Sequence, residues 1–142
     1  MRARFIENIE EHCTFCLLTH EQELERETPL HIFYSCPTVE NIYNRLYNTL
    51  LPGTMVSRRL IFCPIDDKNT SRGKFLTTIS ILTRKFFWDS KNRNTLPFYD
   101  DLLYFLKSEI GIYYRTSNIF KSIFNNCNIS RQFRDSIQRD FL

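Results

Sequence analysis

Glycine is scarce in this chain, with only three residues among 142, and proline occurs five times. None of the glycines are clustered, so the sequence has no glycine-rich phosphate loop and no Gly-x-Ser-x-Gly nucleophile motif. So few turn-forming residues also argue against a turn-rich β-sandwich. No apolar run approaches the roughly 20 residues that a membrane-spanning helix needs. The sequence therefore predicts no membrane partner.

Residues that could support catalysis are also few. Asp66-Asp67 is best explained as a solvated turn in a connector, and Asp100-Asp101 lies in the first turn of an expected helix, where acidic residues favour the helix dipole. His12 has no recognisable partner that would orient it for proton transfer. We therefore expect the chain not to be an enzyme and to have no small-molecule substrate.

Four residues near the N-terminus form the most informative pattern. Cys13, Cys16, His31 and Cys36 follow the spacing C-x2-C-x14-H-x4-C. Zinc prefers four tetrahedral ligands drawn from cysteine sulfur and histidine nitrogen, usually supplied as two close pairs from two short turns. Because protein ligands would fill all four positions, no position remains for a catalytic water. The pattern predicts one structural Zn²⁺.

Other interpretations of these residues stay open. Cysteine is among the most buried residue types, and disulfide pairs are common in exported proteins. However, the N-terminal sequence MRARFIENIEEH has charges but no apolar segment typical of a signal peptide. The odd count of five cysteines also suits reduced thiols, so we expect an intracellular protein of the nucleus or cytoplasm. His20 is an alternative ligand, but we favour His31 because the H-x4-C spacing puts it within reach of the second turn.

Charge is distributed unevenly along the chain. Residues 1–40 contain eight acidic residues against three arginines, whereas residues 41–142 contain 16 lysines and arginines against eight acidic residues. The metal-binding part is therefore acidic and the remainder basic. If nucleic acid binds, the basic part is the better candidate for contacts to phosphates.

Apolar periodicity predicts helices over most of the remaining chain. Pro37 and Thr38 open a first helix, which Pro52-Gly53 ends. Three further stretches have apolar residues at helical spacing: the one that begins at Ser71, 97–115 and 117–126. The expected buried face of the helix from Ser71 comprises Phe75, Ile79, Leu82 and Phe86.

The rest of the basic part is less regular. SRRLIFCPI, residues 57–65, is expected to be extended, with Cys63 in the core, and the tail after residue 129 either docks as a last helix or frays. The predicted fold is mainly α, with a small structural zinc module packed on a bundle of about four helices. The predicted domains are a zinc-binding module at 1–37 and a basic helical domain at 38–142, or one continuous domain.

The helix from Ser71 combines positive charge with aromatic rings. Asp89 is the only acidic residue between positions 72 and 93. Cations can hold phosphates while rings stack on bases, so this segment suits single-stranded or irregular RNA or DNA, although a charged stripe is also the ordinary solvated side of a helix. The candidate nucleic-acid-binding residues are Arg72, Lys74, Arg84, Lys85, Trp88, Lys91 and Arg93.

The segments CTFC and ETPLHIFYSCPTVENIY resemble a known family. They are similar to the cysteine-rich zinc segment that follows the reverse transcriptase region of LINE-type (non-LTR) retrotransposon polyproteins. In that family a C-x2-C pair is followed by Glu-Thr, two residues, His, four residues and Cys-Pro. The matching residues here are Glu27, Thr28, His31, Cys36 and Pro37. The likeness covers most of 13–126, and the zinc motif is its specific part.

The resemblance implies a module that binds the element's RNA or target DNA and supports target-primed reverse transcription. The polymerase itself is missing, because the sequence has no Tyr/Phe-x-Asp-Asp catalytic strand, and it has no endonuclease. FYDDLL contains a similar string but falls where the family begins a helix. The expected function is therefore a zinc-stabilised nucleic-acid-binding module without polymerase or nuclease activity, as a fragment or a free-standing descendant. The alternative is a domesticated retroelement-derived module for protein–protein interaction or regulation.

Overall fold

The computed structural model describes residues 12–19, 27–53 and 70–142, and these residues are mainly helical, as predicted. They form seven helices: α1 (Thr14–Leu18), α2 (His31–Ser35), α3 (Pro37–Leu50), α4 (Ser71–Asn92), α5 (Tyr99–Thr116), α6 (Asn118–Asn126) and α7 (Arg131–Phe141). The α2 helix is a single turn of π-helix. The expected extended segment at 57–65, with Cys63, lies outside the described residues, and so does His20.

The α3 helix follows the sequence prediction closely. Pro37 occupies its first turn, where the missing backbone N–H costs nothing. Its predicted apolar face is buried and consists of Val39, Ile42, Tyr43, Leu46 and Leu50. After the helix ends, Gly53 has a φ of 87°, a conformation that favours glycine. Both the helix and its end at Pro52-Gly53 are confirmed.

The α4 helix is the longest of the described helices, with 22 residues. The hydroxyl of Thr70 caps it by accepting a hydrogen bond from the backbone N–H of Gly73 at 3.0 Å. Its predicted buried face is confirmed for Phe75, Ile79 and Leu82, and Phe86 is half-buried against the core. Phe87, which was not predicted to be buried, is fully buried, with its ring 5.3 Å from that of Tyr43.

The last three helices agree with the predicted stretches, and the tail docks. The hydroxyls of Ser117 and Ser130 cap α6 and α7 by accepting from backbone N–H groups three residues later. Phe133 and Ile137 of α7 are buried, and α7 packs on α5. The backbone N–H of Ser130 also donates to the Leu50 carbonyl at 2.9 Å, which joins the start of α7 to the end of α3.

The helices pack so that the N-terminal turns lie on the bundle. The α4 helix packs against α5 and α6, and α5 also contacts α3 and α7. The short α1 and α2 pack on α3, and α2 contacts α4 as well. The division at residues 37 and 38 stays a prediction. None of the described helices combines the length and apolar character needed to cross a membrane.

Candidate metal centre

The four predicted ligands come from three helix ends. Cys13 immediately precedes α1 and Cys16 lies within it, so both sulfurs belong to one turn. His31 is the first residue of α2, and Cys36 is the residue between α2 and α3. All four are buried, with exposed fractions of 0%, 2%, 6% and 0% for Cys13, Cys16, His31 and Cys36.

The π-turn of α2 explains how the H-x4-C pair converges. The backbone N–H of Cys36 donates to the carbonyl oxygen of His31 at 2.8 Å. This hydrogen bond joins residues five apart in sequence and not four, so it brings residue 36 to the same side of the turn as residue 31. The turn begins with a second local contact, because the Thr28 hydroxyl accepts from the His31 backbone N–H at 3.1 Å.

The ligand atoms form a compact cluster. The Sγ atom of Cys36 lies 3.8 Å from that of Cys13 and 4.0 Å from that of Cys16, and the Cys16 Sγ lies 3.4 Å from Nε2 of His31. All four ligand atoms lie within 4.8 Å of one another. Around a tetrahedral zinc ion, neighbouring sulfurs are about 3.8 Å apart and sulfur and nitrogen about 3.5 Å. The cluster is therefore compatible with one metal site.

The electrostatics of the cluster favour a thiolate at Cys36. A hydrogen bond from the Cys13 thiol and the backbone N–H groups of Val39 and Thr38 hold the pKa of Cys36 below its usual value, against the opposing effect of burial. The same Cys13–Cys36 hydrogen bond, together with burial, raises the pKa of Cys13. Since metal-bound cysteine is a thiolate, Cys36 is poised to act as a ligand.

Glu27 and Thr28 lie beside the cluster, and their contacts were not predicted from the sequence. The Glu27 carboxylate accepts hydrogen bonds from the backbone N–H and the hydroxyl of Thr14, at 3.1 and 3.0 Å. Thr14 stands between the two cysteines of α1, so Glu27 supports the turn that carries them. The Glu-Thr dipeptide marked the motif, but no local spacing indicates that Glu27 contacts Thr14.

The structure brings some candidate nucleic-acid-binding residues together on the outer face of α4. Trp88 is 46% exposed, and Lys74 and Lys85 are exposed on the same side of the helix. Lys85 forms an ion pair with Asp89 at 2.9 Å. Lys91 lies over the Trp88 ring, 4.7 Å from its centroid, and forms a 2.9 Å ion pair with Glu27.

The remaining arginine candidates are placed differently. Arg84 is half-buried, and its Nε atom donates to the carbonyl oxygen of Ser80. Arg72 is half-buried as well, and its Nε atom is enclosed without a hydrogen-bond partner among the described residues. Arg93 is exposed just after α4 ends. These three residues are therefore not part of the outer face of α4 that contains Lys74, Lys85 and Trp88.

Cys127 lies at the end of α6, apart from the metal centre. It is buried, its thiol donates to the carbonyl oxygen of Phe124 at 3.1 Å, and burial raises the pKa of the thiol. The Arg134 guanidinium contacts its sulfur and lies over the Phe124 ring. Cys127 is therefore a core residue of the described part of the chain.

Comparison with known proteins adds no relative. No family model matches the chain, and no curated protein or solved structure matches it. The likeness to the retrotransposon zinc segment therefore depends on the motif residues. The geometry supplies an independent finding, since the four predicted ligands are the ones that the fold buries together.

Proposed function

We propose that this chain is a zinc-stabilised nucleic-acid-binding module, without polymerase or nuclease activity of its own, that works in the nucleus or cytoplasm. The observation that carries the proposal is the buried cluster of three sulfurs and one imidazole nitrogen at tetrahedral spacing. Three thiolates and one histidine are ligands that zinc prefers. With four protein ligands the site is closed, so the ion stabilises the fold and activates no water.

The nucleic-acid part of the proposal is supported by the outer face of α4. An exposed indole on the same helix face as lysines can stack on a base while the ammonium groups contact phosphates. Trp88 with Lys74 and Lys85 provides this combination. The basic excess of residues 41–142 and the resemblance to the LINE-type segment point the same way. We therefore favour single-stranded or structured RNA or DNA as the partner.

Metal analysis and RNA binding together test the proposal. We expect the protein purified in reducing buffer to contain one zinc per chain. Its affinity for single-stranded RNA should fall steeply with salt, because phosphate contacts release counterions. Substituting both Lys74 and Lys85 by alanine should weaken binding and reduce the magnitude of the salt slope by about 1.4, since each phosphate contact on a single strand contributes about 0.7.

Matched controls separate this face from general positive charge. Lys121→Ala removes an exposed lysine from α6 and should change affinity less than Lys85→Ala. Phe98→Ala removes an aromatic ring that is 60% exposed outside α4 and should bind normally, whereas Trp88→Ala should not. No detectable RNA or DNA binding at low salt would overturn the proposal. A protein partner retained at high salt and after nuclease treatment would favour the interaction-module alternative.

A further inference from the structure

Glu27 joins the turn that carries Cys13 and Cys16 to the helical bundle. Its Oε1 atom accepts both hydrogen bonds from Thr14, while its Oε2 atom lies 2.9 Å from Nζ of Lys91 on α4. The two side chains of the ion pair are only 13% and 24% exposed. Solvent therefore screens this pair less than the Lys85–Asp89 pair of equal length, whose side chains are 39% exposed or more.

A second contact joins the other ligand segment to the same turn of α4. Phe33 lies in α2, between His31 and Cys36, and its ring centroid is 6.3 Å from that of Trp88. The Lys91 ammonium lies over the same indole. Thus the C-x2-C turn reaches α4 through Glu27, and the H-x4-C turn reaches it through Phe33.

We propose that Glu27 is a positioning residue of the candidate metal centre. We also propose that metal binding controls the ion pair of Lys91 with Glu27 and the ring contact of Trp88 with Phe33. The argument follows from the connectivity. A bound ion fixes the two ligand turns relative to each other, and each turn holds one of the two α4 residues. When the ion leaves, the turns separate, Lys91 loses its carboxylate partner and Trp88 loses its ring contact.

The coupling is reciprocal. A contact that metal binding strengthens must in turn strengthen metal binding. A change at Lys91 should therefore alter metal affinity. This should hold although the described contacts of Lys91 are with Glu27 and Trp88, neither of which is a candidate ligand. The inference rests on the zinc part of the proposed function and is independent of nucleic-acid binding.

Zinc affinity of the full chain, measured by competition with a chelator, tests the positioning role. Glu27→Gln keeps an acceptor oxygen for Thr14 but loses the ion pair, and we expect about 10- to 100-fold weaker zinc binding. Lys91→Met should weaken zinc binding severalfold, and the effects of the two substitutions should not add. Lys91→Arg keeps the charge and should restore the affinity. Lys85→Met removes the exposed ion pair and should leave the affinity unchanged.

Trp88 fluorescence tests the coupling directly, since this is the only tryptophan in the chain. Removing zinc from the wild-type protein should shift its emission towards that of a solvated indole, and Phe33→Ala should abolish most of this shift while circular dichroism shows the bundle intact. The coupling alone would be overturned if Glu27→Gln and Lys91→Met had normal zinc affinity and the Trp88 emission of the wild-type protein did not change on zinc removal. A wild-type chain that binds no zinc would overturn the coupling and the proposed zinc site together.

Discussion

The backbone N–H of Cys36 donates to the carbonyl oxygen of His31 at 2.8 Å, and this single hydrogen bond aligns two metal ligands. An ordinary α-helical turn would rotate residues that are five apart in sequence away from each other. The π-turn instead brings them to the same side, and Cys36 then serves as the residue that precedes α3. The candidate metal centre therefore includes the residue that precedes the first bundle helix.

The first prediction concerns the ligands. Cys36→Ser should abolish stoichiometric metal binding and unfold the turns that carry the candidate ligands, because metal binding at such sites also supplies folding free energy, about 10–16 kcal/mol of apparent binding free energy in zinc-finger peptides. The measurements are metal content by mass spectrometry and thermal unfolding with and without chelator. Cys127→Ser is the matched control, since Cys127 is equally a buried thiol but belongs to the core near Phe124. It should keep its metal; a Cys36→Ser protein with full metal content would contradict the prediction.

The clustering of the four candidate metal ligands could be predicted from the sequence because it depends on residue type and local spacing. The two pairs lie within short segments, and each turn can be inferred from a few neighbouring residues. The helices were predictable for a similar reason, since apolar residues repeat at helical spacing along α3 and α5.

The links between segments could not be predicted, because no local pattern records them. Glu27 and Lys91 are far apart in the sequence, so their ion pair appears only when α2, which begins shortly after Glu27, packs against α4. The same reason explains why the burial of Phe87 was not predicted. Helical spacing allows either of two adjacent rings to face inwards, and the contact with Tyr43 selects Phe87.

The second prediction concerns Gly111 in the middle of α5. A Cβ atom at this position would lie 3.1 Å from Cβ and 3.2 Å from the carbonyl oxygen of Phe141 at the end of α7. In most helices replacing glycine by alanine raises the free energy of unfolding by roughly 1 kcal/mol. Gly111→Ala should instead lower the free energy of unfolding, because α7 must shift to admit the methyl group.

Urea unfolding measures this effect. Ser108→Ala on the same helix is the control, because it raises helix propensity at a residue that already has a Cβ atom. It should be neutral or stabilising, whereas Gly111→Ala should be destabilising and should lose the Arg115 hydrogen bond to the Phe141 carbonyl. A stabilised Gly111→Ala protein would show that α7 does not pack this closely.

The third prediction compares tyrosines that differ in hydrogen bonding. The hydroxyls of Tyr43 and Tyr47 are buried without a hydrogen-bond partner among the described residues. The hydroxyl of Tyr99, in contrast, lies 2.8 Å from that of Thr49. Burying an unpaired hydroxyl is unfavourable, so Tyr47→Phe should be neutral or stabilising by about 1 kcal/mol.

Tyr99→Phe is the matched substitution and should be destabilising by about 1 kcal/mol, because it breaks the hydrogen bond with Thr49. Denaturant unfolding at neutral pH measures both variants. Equal losses of unfolding free energy in Tyr47→Phe and Tyr99→Phe would show that the hydroxyl of Tyr47 has a partner in solution.

The fourth prediction is a loss of stability at alkaline pH. Burial raises the pKa of Tyr43 and of Tyr47 well above the usual value of about 10. Above that pH the unfolded chain releases both protons while the folded protein keeps them. The unfolded state then binds fewer protons, so the free energy of unfolding falls as pH rises. At about pH 11 each tyrosine should contribute a loss of about 1.4 kcal/mol relative to neutral pH.

Urea unfolding near pH 9 and near pH 11 isolates this effect when the wild type is compared with the Tyr43→Phe/Tyr47→Phe double variant. The double variant should lose less stability across this interval, by about 3 kcal/mol, because its phenylalanines cannot ionise. Tyr104→Phe is the control, since it removes a hydroxyl from a side chain that is 67% exposed. This substitution should leave the pH dependence of stability unchanged. Phenolate absorbance gives a second readout: if all seven tyrosines of the folded protein ionise together near pH 10, the hydroxyls of Tyr43 and Tyr47 are open to water and the packing of α3 against Phe87 is looser than described.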